Sequence, residues 1–183
     1  MSAMLRLVLA MLAVVSTAAP DLDGTLVDPF VRAAGTKATV MLFVSTDCPV
    51  SNRYAPDVRT LHDRFAKDGV AFWLIYPNPV DTVAEIRDHI KSFSYPGTAL
   101  RDTTHALVKR AGATITPEAV VYDAQGRMTY RGRIDDRYSA VGIERATATR
   151  HDLQEAVAAT LAGTPIKDSR TQAVGCYIAD FLK

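Results

Sequence analysis

Cysteine is scarce in this chain, which has only Cys48 and Cys176 among its 183 residues. Two cysteines allow at most one internal bridge, so the disulfide framework typical of small secreted domains is excluded. The formal net charge is only +1, which predicts no binding to nucleic acid. After the N-terminus, no apolar run is long enough to cross a bilayer. We therefore expect no stable membrane insertion of the mature chain.

The first 18 residues have the order of a secretory signal peptide. Residues 1–6 carry one positive charge, residues 7–15 are almost entirely apolar, and residues 16–18 are small. The apolar run is shorter than the roughly 20 residues that span a bilayer. We expect cleavage before Ala19 and a periplasmic or secreted protein. The alternative is an uncleaved N-terminal helix that anchors the chain to the membrane.

The remaining chain, residues 19–183, has the length of one domain, with residues 163–183 as a C-terminal tail. Its composition, 48% hydrophobic and 22% charged, is sufficient to bury a core. Buried strands are predicted at 38–44 and 70–76 and a hairpin at 118–122 and 128–131. Helical periodicity predicts helices at 49–67, 81–93, 104–111 and 150–162. Residues 138–149 are expected to form an inserted loop.

This order predicts an α/β fold with a central mixed sheet and helices on both faces. Asp23-Gly24 indicates a turn in a short β extension before the sheet.

Cys48 lies between an apolar strand-like run and a predicted helix that begins beside Pro49. The first turn of a helix has unpaired N–H groups and a partial positive charge. Both stabilise a thiolate, which is the nucleophilic form of cysteine. The alternative is a cysteine that only fills the core, but such a cysteine is more typical inside an apolar run. The position of Cys48 favours a reactive thiol.

Residues 43–56 resemble, without gaps, the segment FWATWCPPCRAEMP of extracytoplasmic thiol oxidoreductases. The chain is thereby similar to the thioredoxin-like superfamily, in its redoxin or peroxiredoxin-like branch. The resemblance covers nearly all of the mature chain and implies a thioredoxin-like fold. It implies that Cys48 is the nucleophile, that Pro56 kinks the first helix, and that Thr116-Pro117 is a cis-proline loop facing the cysteine. In the family this loop pairs with an extended substrate peptide, which makes Thr116, Pro117 and Pro49 candidate substrate-binding residues.

The chain departs from the family where thioredoxins have their second cysteine, because Ser51 occupies that position. A hydroxyl cannot release a mixed disulfide, so the motif Cys-Pro-Val-Ser cannot complete a redox cycle alone. Ser51 either donates a hydrogen bond to the thiolate or faces solvent. The cycle then needs Cys176, an external thiol, or a peroxide that converts Cys48 to a sulfenic acid.

Cys176 lies in the tail after Gly175, where the backbone can turn or approach another strand closely. Residues 130–137 and 174–178 also resemble poorly characterised bacterial redoxin-domain proteins. Three roles for Cys176 stay open: a resolving cysteine, a permanent bridge to Cys48, or a free thiol. The separation of the two cysteines in sequence does not choose among these roles.

A thiol-dependent peroxidase is the main alternative to a thiol–disulfide oxidoreductase. Peroxiredoxins share the motif Pro-x-x-x-Thr-x-x-Cys. The hydroxyl of this motif and a distant arginine polarise the peroxide. Ser45 can supply the hydroxyl, but Met41 replaces the proline. The candidate arginines are Arg53, Arg101, Arg131 and Arg133.

Two further alternatives are a copper-binding protein and a non-catalytic binding module on the same scaffold. Copper chaperones of the Sco type share this fold and have a Cys-x-x-x-Cys motif and a histidine in the loop before the hairpin, residue types that suit copper. Here Asn52 and Thr116-Pro117 fill those positions, and the four histidines stand singly. We expect no metal or organic cofactor. The expected partners are protein or small-molecule thiols and disulfides, or peroxide, with an external thiol as reductant.

Overall fold

The computed structural model describes residues 17–178, and its centre is a sheet of five strands. The strands in chain order are β1 Ala19–Pro20, β2 Leu26–Val27, β3 Ala38–Phe43, β4 Val70–Tyr76, β5 Thr98–Arg101, β6 Ile115–Thr116, β7 Glu118–Asp123, β8 Met128–Gly132, β9 Tyr138–Ala140, β10 Ile143–Glu144 and β11 Cys176–Tyr177. The helices are α1 Pro49–Phe65, α2 Val83–Phe93, α3 Ala106–Ala111 and α4 Asp152–Ala162, and a 3-10 turn at Ala66–Asp68 extends α1.

The central sheet is mixed and has the order β5-β4-β3-β7-β8. β3 pairs in parallel with β4, which pairs in parallel with β5, while β7 runs antiparallel to both β3 and β8. All six residues of β3 are buried, as expected for a central strand covered on both faces. The predicted mixed α/β sheet is confirmed.

Helices cover both faces of the sheet, because successive side chains of a strand point to opposite sides. Val40 and Leu42 of β3 pack in the core formed with α1, α2 and α4. Met41 and Phe43 pack in a second core with α3 and the segment around β1. The short β extension is also present, as β1 pairs antiparallel with β2 across the predicted turn.

The structure differs from the sequence-based expectation in two places and adds one pairing that the sequence did not predict. Thr98–Arg101, for which no strand was predicted, forms edge strand β5. Residues 138–149 are not a plain loop, because β9 and β10 pair in a small hairpin. The C-terminal tail, whose pairing was left open, is attached to the domain because β11 pairs with β6. Each of these strands is two to four residues long, too short to show a hydrophobic period.

The expected signal peptide lies almost entirely outside the described residues, which begin at Thr17. Among the helices that the structure describes, none combines the length and the apolar character needed to cross a membrane.

Burial of β3 makes a specific prediction about stability. Leu42 is fully buried in the central strand, whereas Leu26 of β2 is 71% exposed. We expect Leu42→Ala to lower the free energy of unfolding by about 2–5 kcal/mol, because it removes buried methyl groups and leaves a cavity. The matched change Leu26→Ala should cost less than about 0.5 kcal/mol. Urea denaturation measures both, and equal losses would contradict this description of the core.

Candidate active site

Cys48 follows the central strand and immediately precedes α1. It is the N-cap residue of that helix, and Pro49 is the first helical residue. Proline suits this position, since the first helical N–H has no partner within the helix. The side chain of Cys48 is 0% exposed. The predicted helix start is therefore confirmed, and the structure adds that solvent does not reach the sulfur.

The loop before β7 lies against Cys48. The Thr116–Pro117 peptide bond is cis, as the resemblance implied. The Cys48 thiol donates a hydrogen bond to the carbonyl oxygen of Thr116, with an S···O distance of 3.0 Å. Cys48, Thr116 and Pro117 are therefore brought together from positions almost 70 residues apart.

The second cysteine reaches the same loop from the C-terminal side. β11 runs antiparallel to β6, and Cys176 is the register partner of Thr116. The Thr116 hydroxyl donates to the carbonyl oxygen of Cys176 at 3.3 Å, and the Ile178 N–H donates to that of Thr114 at 2.9 Å. Both cysteines thus contact Thr116, and both are free thiols in this structure.

The tail before Cys176 is held to strand β8. The Arg131 N–H donates to the carbonyl of Ser169 at 3.0 Å, and the Thr171 N–H donates to the carbonyl of Arg131 at 3.1 Å. At Gly175 the backbone passes so close to Thr116 that a Cβ would overlap the Thr116 carbonyl oxygen. Only glycine fits there without moving the strand.

The pKa values of the two thiols are shifted in opposite directions. Burial acts to raise the pKa of the Cys48 thiol, but hydrogen bonds from the Cys176 thiol and from the N–H and hydroxyl of Ser51 outweigh it. The pKa of Cys48 is therefore lowered. Burial, together with the neighbouring Cys48 sulfur and Asp47, raises the pKa of Cys176 to about 12. Of the two thiols, Cys48 is therefore the one that ionises first as the pH rises.

Ser51 faces the interior, so the solvent-facing alternative is excluded. It is fully buried in the first turn of α1. Apart from the Cys48 sulfur, no group in the part of the chain that the structure describes is a hydrogen-bond partner for its hydroxyl. Tyr95 fixes this turn, because its hydroxyl donates to the carbonyl of Ser51 at 2.6 Å. Ser51 is thus positioned to stabilise the Cys48 thiolate.

Ser45 lies near the site, but its hydroxyl points to an acid. It donates to the carboxylate of Asp47 at 2.5 Å. Ser45 and Asp47 line a cavity of about 150 Å³. The other lining residues are Pro77, Asn78, Thr116, Cys176, Tyr177 and Ile178. Cys176 therefore borders an opening, whereas Cys48 does not line it.

A larger concavity lies elsewhere and contains no thiol. Its volume is about 670 Å³, and it lies between the β7–β8 turn and the end of α4, around residues such as Asp123, Thr160 and Gly163. Size alone would select it as a ligand site. The chemistry places the candidate site at the smaller cavity.

The four candidate arginines make their described polar contacts away from Cys48. Their partners are Glu144 for Arg53, the carbonyl of Asp81 for Arg101, Glu118 for Arg131 and Asp152 for Arg133. No described hydrogen bond or ion pair joins any of them to the sulfur.

His89 is a buried structural residue. Its two ring nitrogens lie 2.9 Å from the Tyr76 hydroxyl and 2.7 Å from the side-chain oxygen of Asn52. Within residues 17–178, no group of three or more His, Cys, Asp or Glu side chains has an arrangement that could hold a metal ion.

Sequence reasoning missed the residues that support the loop. The Glu118 carboxylate accepts hydrogen bonds from the N–H groups of Thr114 and Ile115, at 2.8 and 3.3 Å. Arg131 lies 3.3 Å from Glu118 and also donates to the Gly112 carbonyl. The available signal in the sequence was the acidic residue Glu118 directly after Thr116-Pro117, but the sequence did not identify the groups to which it binds.

Comparison with known proteins agrees with this geometry. The sequence profile of the AhpC/TSA family matches residues 14–131. The chain belongs to the AhpC/TSA family. No curated protein matches its sequence at a significant level.

Several solved structures share the thioredoxin-like fold of this AhpC/TSA chain. An uncharacterized conserved protein from Geobacillus kaustophilus is 24% identical, over 91% of this chain and 89% of that one, with a TM-score of 0.77. A hypothetical protein from Sinorhizobium meliloti is 26% identical over 88% of each chain, with a TM-score of 0.73. A secreted Mycobacterium tuberculosis disulfide oxidoreductase homologous to E. coli DsbE is 22% identical over 78% and 94%, with a TM-score of 0.57.

The position of Ser51 predicts how the acidity of Cys48 is set. We expect Ser51→Ala to raise the pKa of Cys48, because one hydrogen bond to the thiolate is lost. The ultraviolet absorbance of the thiolate, measured against pH with Cys48→Ser subtracted, reports this pKa. The thiolate absorbance of the wild-type protein should persist to lower pH than that of the Ser51→Ala protein. Identical titrations of the two proteins would contradict the role of the hydroxyl.

Proposed function

We propose that this AhpC/TSA chain is a thiol–disulfide oxidoreductase in which Cys48 attacks the substrate and Cys176 resolves the intermediate. The observation that supports the proposal is the contact of both cysteines with Thr116 in the cis-proline loop, where the two thiols are within hydrogen-bonding reach of each other. It supplies the second sulfur that Ser51 cannot supply.

The first step is attack of the Cys48 thiolate on a substrate disulfide. A bond forms between Cys48 and one substrate sulfur, the substrate S–S bond breaks, and the second substrate sulfur leaves as a thiolate. The lowered pKa of Cys48 supports this role, because it increases the fraction of Cys48 in the nucleophilic thiolate form.

The second step is attack of Cys176 on the Cys48 sulfur of the mixed disulfide. The new Cys48–Cys176 bond replaces the bond to substrate, which departs as a thiolate and takes up the proton released by Cys176. In the mixed disulfide Cys48 is neutral, so the part of the Cys176 pKa increase that comes from the Cys48 thiolate disappears. The resolving thiol thus becomes more acidic when it is needed.

A protein substrate needs the tail to lift before the first step. Cys48 is fully buried, and β11 occupies the edge of β6. In the thioredoxin-like family an extended substrate peptide pairs with this loop. Substrate and tail therefore compete for one strand edge, and return of β11 both resolves the intermediate and displaces the product.

A peroxidase is the second candidate because of the family to which the chain belongs. The contacts favour it less. The Ser45 hydroxyl is directed to Asp47, and the four arginines make their described contacts elsewhere. A peroxidase needs donors aimed at the oxygens of the peroxide beside the sulfur.

We also propose that residues 1–18 are a signal peptide and residues 19–183 a single extracytoplasmic domain. Cleavage before Ala19 leaves both strands of the β1–β2 hairpin in the mature chain and removes the 2.9 Å hydrogen bond from Thr17 to Asp28. A secreted disulfide oxidoreductase with the same fold supports this location. Mass measurement of the exported protein tests it.

The central experiment follows the two cysteines separately. We expect Cys48→Ser to abolish reduction of a peptide disulfide, whereas Cys176→Ser should accumulate a mixed disulfide at Cys48 that peptide mass mapping detects. In the wild type, the same substrate should yield a Cys48–Cys176 bond. Ser139→Ala, a substitution at an exposed position of β9, is the control variant and should behave like the wild type in this assay.

Three other results would redirect the interpretation. Hydrogen peroxide consumption without disulfide exchange would replace the proposal with a peroxidase. A Cys48–Cys176 bond that resists reduction would make the bridge structural. A Cys48 that reacts with neither substrate would indicate a non-catalytic binding module.

Tail displacement gives a separate prediction. We expect Gly175→Val to push β11 from β6, since a Cβ there overlaps the Thr116 carbonyl, and so to speed alkylation of Cys48 at least about tenfold relative to wild type. Tyr177→Ser is the matched control, because the Tyr177 side chain is 84% exposed and its removal leaves the strand in place. An unchanged Cys48 rate in a folded Gly175→Val protein would show that the tail does not cover the site.

A further inference from the structure

The proposed cycle ends with a Cys48–Cys176 disulfide, and something must reduce it. The surroundings of the two sulfurs differ sharply in the docked arrangement. Cys48 is fully buried and lines no part of the 150 Å³ cavity. Cys176 is half-buried and forms part of the cavity wall. A reagent that enters without moving the tail therefore meets Cys176 first.

We propose that a small thiol compound reduces this disulfide by attacking Cys176 through the cavity, while β11 remains paired with β6. This inference rests on the proposed function, because it needs the Cys48–Cys176 bond to form. It assigns the external electron donor by chemical class and identifies the sulfur that receives the attack.

The size of the opening favours a small donor. A volume of about 150 Å³ holds several water-sized groups, each occupying about 30 Å³ in the liquid. It cannot admit an extended peptide, and the edge that would bind a peptide is filled by β11. A protein reductant would have to displace the tail, whereas a thiol of a few heavy atoms would not.

The acidities of the sulfurs favour the same direction. The donor thiolate forms a bond to the Cys176 sulfur, the Cys176–Cys48 bond breaks, and Cys48 leaves as a thiolate. The sulfur with the lower pKa is the better leaving group, and that sulfur is Cys48. Ser51 is in position to stabilise the departing charge.

A second donor molecule completes the reduction. Its thiolate attacks the donor sulfur of the mixed disulfide at Cys176, which releases the oxidised donor dimer. Cys176 leaves as a thiolate and takes up a proton. Two donor thiols are thereby oxidised to one disulfide, and the protein disulfide is reduced to two thiols.

The charge of the cavity predicts which small thiols react well. Asp47 is the charged member of the eight lining residues described above, and it contributes to the raised pKa of Cys176. A negative wall repels an anionic donor and attracts a cationic one. Cysteamine should therefore react faster than 2-mercaptoethanol, and mercaptoacetate slowest, when each rate is expressed per thiolate.

The experiment uses the oxidised full-length protein and these three thiols. Acid quenching at short times, followed by peptide mass mapping, identifies the cysteine that carries the donor. We expect the adduct on Cys176 and a free thiol at Cys48. An adduct on Cys48 would overturn the inference and leave the proposed function standing. Failure to obtain the Cys48–Cys176 bond at all would instead reject the proposed function.

Variants test the cavity itself. We expect Asp47→Asn to reduce the cysteamine-to-mercaptoacetate rate ratio at least about fivefold, the factor that a single pair of unit charges gives at about 4 Å even in bulk water. Asp88→Asn is the matched control, because Asp88 is an exposed acid of α2 outside the cavity. An unchanged ratio in Asp47→Asn, or faster reduction by thioredoxin than by all three small thiols, would show that reduction follows another route.

Discussion

The pairing of β11 with β6 is the interaction on which the redox site depends. It places Cys176 opposite Thr116, whose carbonyl oxygen already accepts a hydrogen bond from Cys48. Two residues that are distant in the sequence thereby become neighbours beside one short strand. The approach is possible because Gly175 has no side chain to meet the Thr116 backbone. A chain with an ordinary residue at this position would keep Cys48 but lose its partner.

Burial gives the two sulfurs different chemistry. Removal from water disfavours both thiolates, but donors converge on Cys48 and compensate there. Cys176 lies beside the Cys48 sulfur and Asp47, which oppose a second negative charge. The same short distance that makes the thiols partners also prevents both from ionising together. A conventional dithiol motif sets this asymmetry within one helix turn, and here two distant segments set it.

Much of the fold could be predicted from the sequence, because long apolar runs such as β3 and β4 identify buried strands directly. Cys48 at the start of α1 and the loop at Thr116–Pro117 could also be predicted, since a local pattern and a family resemblance both indicated them. The pairing of the tail could not, because a two-residue strand has no periodicity and its partner is 60 residues away. Edge strand β5 was missed for the same reason of length. Resemblance could therefore name both cysteines as candidates, but only the structure could bring them together.

The attachment of the tail to β8 has a kinetic consequence. Backbone hydrogen bonds at Ser169 and Thr171 hold the tail to Arg131, and only residues 172–175 separate that anchor from Cys176. At about 3.4 Å per residue, the freed thiol stays within about 17 Å of its anchor. A tether this short keeps its effective concentration on the order of millimolar or higher. A thiol in solution must exceed that concentration to attack the mixed disulfide at Cys48 before Cys176 does. The length of residues 172–175 therefore determines which external thiols can compete with Cys176.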